Sequence, residues 1–103
     1  MRTHPTAFAW VDPFVSPCSE LDNARVRALA RRLGYHLYWP APSMLPLLDQ
    51  VRAADVDAVI APSTDHFDVM QLSALMCLTD VETAAPRMSF DRGSAYPRQA
   101  ERI

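Results

Sequence analysis

The chain holds only two glycines and no lysine. Phosphate-cradling loops need glycine for close backbone approach, and neither G-x-G-x-x-G nor G-x-x-x-x-G-K-[ST] occurs. A nucleotide cofactor is therefore not expected. The two cysteines, Cys18 and Cys77, form no C-x-x-C pair and have no histidine at a structural zinc spacing, so both read as reduced thiols. Apolar runs are short: residues 45–48 and 56–62 are interrupted by Pro, Asp or Gln, well below the roughly 18 residues a membrane span requires. Met1-Arg2-Thr3-His4-Pro5 leads into a short strand-like run rather than a secretory leader, which implies a soluble cytoplasmic protein with no membrane partner. The missing lysine, beside abundant Ala, Val, Asp and Pro, is a bias of GC-rich genomes and speaks of ancestry rather than chemistry.

Excess positive charge is also lacking. The net charge is -2 and the isoelectric point about 5.8. A domain that grips nucleic acid by itself carries a concentrated basic face and a high isoelectric point, so direct DNA binding is expected to be weak or absent. The charge is graded: residues 1–34 carry five arginines against three acids, 49–82 one against seven, and 83–103 four against two.

What remains is a globular composition. Half of the 103 residues are apolar and 21% are charged, enough for one core and too apolar for a disordered chain. Residues 7–11 form an apolar run stopped by Asp12-Pro13, which reads as a first strand. Ser19, three residues before Asp22, fits a hydroxyl cap opening a helix through Val26, Leu29, Ala30 and Leu33 to a stop at Gly34. Arg25, Arg27, Arg31 and Arg32 decorate that helix and are its DNA-contact candidates. A second strand is predicted over 35–39. Ser43 is the expected cap of a short helix carrying Met44, Leu47, Leu48 and Val51 on one face and ending near Ala54. Residues 56–61 are β-branched and halted by Pro62, the pattern of a buried central strand. Segment 67–78 predicts a third helix, apolar nearly all round, either sandwiched in the core or turned toward a partner subunit. Residues 81–84 suggest a fourth strand, and 86–103, with Pro86, Gly93 and Pro97, an irregular tail.

Alternating strands and helices call for a parallel sheet covered by helices. The expected fold is therefore an α/β three-layer sandwich with a mostly parallel sheet of about four strands, formed by residues 1–85.

The run 7–12, the helix 24–34 and the stretch Val56-Asp57-Ala58-Val59-Ile60-Ala61-Pro62-Ser63-Thr64-Asp65-His66-Phe67 together resemble the N-terminal catalytic domain of serine recombinases, the resolvase and invertase family. The resemblance covers about residues 7–85. In that family an aromatic residue, any residue and Arg-Val-Ser end the first strand, the serine being the nucleophile; Asp-Arg-Leu-x-Arg follows the third. Aligned on Trp10, the arginine position holds Asp12 and the serine position Phe14. In the second motif Asp65 and Phe67 fit, while His66 and Val69 replace the two arginines. Negative charge builds on a phosphodiester under attack, and arranged arginines stabilise it by several kcal/mol. A carboxylate in their place repels it. The family's dimer helix and DNA-binding helices would follow the catalytic domain, whereas this chain stops at Ile103. The resemblance implies a shortened, degenerate relative without catalysis: an interaction or regulatory module that meets a protein partner, or a second copy as a homodimer, through 67–78. The alternative is an active DNA strand-transfer enzyme using Ser16, with Asp65 as a second candidate catalytic residue.

Asp65, His66 and Asp68 could also be pictured as metal ligands at the mouth of a parallel sheet. Helix-capping roles explain the two acids equally well, and no metal is expected. His4 and His36 read as surface residues, and Trp10 and Trp39 as core or rim aromatics. A receiver-like signalling domain would use acids at Asp12 and Asp65, but it also requires a lysine that this chain does not have.

Overall fold

The computed structural model describes residues 4–93 and 98–99. The elements in chain order are β1 (Thr6–Ala9), α1 (Ser19–Leu33), β2 (His36–Tyr38), α2 (Leu47–Ala54), β3 (Ala58–Ala61), a 3-10 turn (Thr64–His66), α3 (Val69–Met76), β4 (Asp80–Ala84), β5 (Arg87–Phe90) and β6 (Arg98–Gln99). The sheet order is β2-β1-β3-β4-β5-β6, with the first four strands parallel and the last two antiparallel.

Period-two alternation along the central strands feeds a core on each face of the sheet. Phe8, Val59, Ala61 and Val81 face Leu47 and Val51 of α2 and Leu75 of α3. Ala7, Ala9, Ala58 and Ile60 face Val26, Leu29 and Ala30 of α1. One helix above and two below make the expected three layers. No helix among the described residues is long and apolar enough to cross a membrane.

Several expectations need correction. Ser19 does not cap α1: the cap position is Cys18, which makes no side-chain capping bond, and Ser19 is the first helical residue. Gly34 does close the helix, at φ 84°, donating its N–H to the Ala30 and Arg31 carbonyls. Ser43 does not open α2 either. Its hydroxyl accepts the Leu45 N–H in a local turn, and Pro46 takes the cap position ahead of Leu47. The predicted helix 67–78 shrinks to α3 because Phe67 is extended and drives its ring into the core. Asp68 then starts the helix with a capping box shared with Gln71.

The sheet has six strands rather than about four, because the segment assigned to an irregular tail re-enters it. Residues 87–90 alternate: Met88 and Phe90 join the core under α2 and α3. On the other face Arg87 pairs with buried Glu82 at 2.9 Å, and the Ser89 hydroxyl donates to the same carboxylate. Pro86 marks a turn before this strand, not the end of ordered chain. Residues 94–97 and 100–103 of the expected tail lie outside the described residues.

Candidate functional site

In an open α/β sheet, ligands gather at the carboxyl ends of the strands, where neighbouring strands send their connections in opposite directions. Here that point lies between β1 and β3, since β1 has β2 on one side and β3 on the other. The segments leaving these two strands meet there and lock together. The Trp10 indole Nε1–H donates to the His66 carbonyl at 2.9 Å, and the Asp12 N–H donates to His66 Nδ1 at 2.8 Å. Asp12 then folds the following loop by accepting the Phe14 N–H on Oδ1 (2.9 Å) and the Val15 and Ser16 N–H groups on its carbonyl.

Because Nδ1 accepts a hydrogen bond, the neutral imidazole of His66 carries its proton on Nε2. That nitrogen lies 3.8 Å from Oδ2 of Asp22. Asp22 belongs to the first turn of α1 and is buried. Its Oδ2 also accepts the Ser16 hydroxyl at 2.5 Å, while Oδ1 faces Arg25 at 3.5 Å. Burial pushes the His66 imidazole below its ordinary 6.5, with Asp22, Asp12 and Asp65 pulling partly the other way. Beside the cluster opens a cleft of about 150 Å³, lined by Val15, Asp22, Arg25, Ser63, Asp65 and His66 among others.

The sequence candidates distribute as follows. Asp65 lines the cleft, and Ser16 meets it only through the hydrogen bond from its hydroxyl to Asp22. Phe14, at the position the family gives its nucleophile, is 98% exposed and takes part only through its backbone N–H. The four arginines of α1 do not form one surface. Arg25 and Arg32 flank the buried Val26–Leu29–Ala30 stripe on one side, and Arg27 and Arg31 on the other, as their seven- and four-residue spacings require. Arg27 lies 5.4 Å over the Trp39 ring, and Arg25 is held by Asp22. His4 and His36 are exposed.

Asp65, His66 and Asp68 do not converge: His66 is buried, Asp65 is exposed, and Asp68 is spent on capping α3. Among the described residues no three His, Cys, Asp or Glu side chains are grouped to hold a metal. Sequence reasoning missed Asp22, which proves to be the hub. The signal was present, for Asp22, Val26, Leu29 and Leu33 follow one helical stripe, and an acid on that stripe must be buried.

A Ser-His-Asp relay requires the imidazole between hydroxyl and carboxylate. Here the carboxylate stands between the hydroxyl and the imidazole. The Ser16 hydroxyl donates to one buried acid, with Arg25 and the His66 Nε2 standing 3.5 and 3.8 Å from it, and this cluster brings the β1 exit loop, α1 and the β3 exit loop together. These features define a doubly wound α/β domain with a polar staple at its switch point. Comparison with protein-family models, curated proteins and solved structures gave no significant match.

Proposed function

We propose that this domain is a non-catalytic, resolvase-like interaction module that docks a protein partner through the region 67–78. The carrying observation is the company around Ser16. Its hydroxyl is engaged by the Asp22 carboxylate, Asp65 and Asp22 line the neighbouring cleft, and the one guanidinium among its described lining residues, Arg25, already faces Asp22. Stabilising a phosphodiester under attack takes several arranged cationic donors, and a cleft with more carboxylates than guanidinium groups offers the wrong field. The split arginine rows of α1 likewise support a module that does not hold DNA by itself. The partner assignment rests on the first turn of α3, where Val69 and Met70 stand in solvent while Leu75 is buried.

The rival reading, strand transfer by Ser16, shares the same geometry and makes the opposite prediction. Incubation with labelled duplex DNA followed by denaturing electrophoresis is expected to show no covalent protein–DNA adduct. An adduct that disappears in Ser16→Ala would overturn the proposal.

A further inference from the structure

The parallel strands β1, β2 and β3 release the chain at one edge, in residues 10–20, 39–46 and 62–70. Since β2, β1 and β3 are adjacent, these segments leave the sheet from neighbouring strands, which lie roughly 5 Å apart. Their composition is lopsided. They contain four carboxylates, Asp12, Glu20, Asp65 and Asp68, and not one lysine or arginine. Among the described residues ten large hydrophobic side chains are exposed, and seven of them lie here. Met44, Phe14, Val69 and Met70 are 102%, 98%, 84% and 81% exposed. Methionine is the side chain that best adapts to a foreign apolar surface. Between the first and second exit segments runs a groove of about 250 Å³, lined by Trp10, Val11, Pro13, Trp39 and Pro40. The guanidinium of Arg27 already lies over the Trp39 ring that borders it, so this aromatic surface accepts cations.

We propose that this edge of the sheet is a docking surface for a basic amphipathic helix of a partner protein. The inference rests on the interaction-module reading and extends it from α3 to the whole edge and to the chemistry of the partner. An apolar face would seat on Phe14, Met44, Val69 and Met70, with lysines or arginines at its margins meeting Glu20 and Asp65. A second copy brought edge to edge would instead set Glu20, Asp65 and Asp68 against the same acids, and like charges in contact oppose that arrangement.

The probes are a 14-residue helical Leu/Lys peptide and its Leu/Glu counterpart, titrated into the full chain by fluorescence anisotropy at 50 and 500 mM salt. The Leu/Lys peptide is expected to bind at least tenfold more tightly than the Leu/Glu peptide, and less tightly at high salt as charge is screened. Met44→Ser with Met70→Ser should weaken binding at least tenfold, and Glu20→Gln with Asp65→Asn severalfold. Arg31→Ala with Arg32→Ala, far from the edge, should leave it unchanged. All these positions are exposed, so unchanged thermal unfolding will confirm folded variants. No binding of the Leu/Lys peptide, equal binding of both peptides, or indifference to the methionine changes would overturn the inference. So would a dimer in sedimentation that Met44→Ser with Met70→Ser dissolves, since a second copy would then occupy the edge. Each of these results leaves the interaction-module reading standing; a Ser16-dependent DNA adduct removes that reading whatever the peptides do.

Discussion

At one end of the parallel sheet the chain passes from helix to strand through residues 34–35, 55–57 and 77–79; at the other it passes from strand to helix through 10–18, 39–46 and 62–68. The short connections are tightly tied. Gly34 and Asp55 take left-handed conformations that end α1 and α2, at φ 84° and 54°. The Asp57 N–H donates to the Thr6 carbonyl, and the Thr6 N–H donates to Asp57 Oδ2, both at 2.8 Å. The long connections put apolar side chains and carboxylates into solvent, and the Asp22–His66 cluster ties the first of them to the third. The difference teaches a division of labour: one end holds the sheet in register, and the other exposes the surface for which a partner is proposed.

The sharpest way to break that comparison is to cut a tie at the short end. Asp57→Ala removes the carboxylate acceptor of the Thr6 N–H and should cost about 2 kcal/mol, the usual magnitude for a hydrogen bond to a charged group. Urea unfolding would show it as a lower midpoint with an unchanged slope. A change below about 0.5 kcal/mol would mean that the short end is no more critical than ordinary surface.

One anchor of the long end, the His66 cluster, is reached by pH. Burial lowers the proton affinity of His66 in the folded chain, whereas the unfolded chain takes up that proton near 6.5. Below that pH the unfolded state binds more protons, so folding stability should fall as pH decreases from about 6.5 until His66 protonates in the folded state. Protonation also gives Nδ1 a hydrogen, which opposes the Asp12 N–H and should loosen the β1 exit loop. Unfolding midpoints between pH 7.5 and 5.5 test this, and His66→Gln should flatten the dependence. A wild-type chain equally stable throughout that range would show that the long end has no titratable anchor.

The two ends also differ in how far the amino-acid sequence reveals them. The α/β order and three layers were readable because β-branched runs such as 56–61 and the stripe of α1 carry unambiguous periods. Helix starts were misplaced where hydroxyls looked like caps. Ser19 lost that role to a backbone entry at Cys18, and Ser43 lost it to Pro46, whose fixed φ suits the cap position. Strand β5 was hidden because Pro86 and Gly93 outweighed a four-residue alternation. Ser16 and Asp65 were singled out as residues, but neither the bond from Ser16 to Asp22 nor the exposure of Asp65 was legible in their spacing. The Asp22 hub was not, since a first-turn acid is usually a solvated partner of the helix dipole, and only its register with Val26 and Leu29 marks it as buried.

The smallest effect belongs to Met44. Wholly exposed, and preceding α2 rather than inside it, its side chain buries almost nothing in the domain. Met44→Ser alone should shift stability by less than about 0.5 kcal/mol, as for surface changes that touch no cap, core or network. Had the long end been held like the short one, a side chain on the segment that follows the Trp39–Pro40 groove would carry part of the fold, and removing it would lower the urea midpoint measurably. A loss above about 1 kcal/mol would mean that Met44 folds back onto that groove in solution, so that the surface offered to a partner is already occupied by the chain itself.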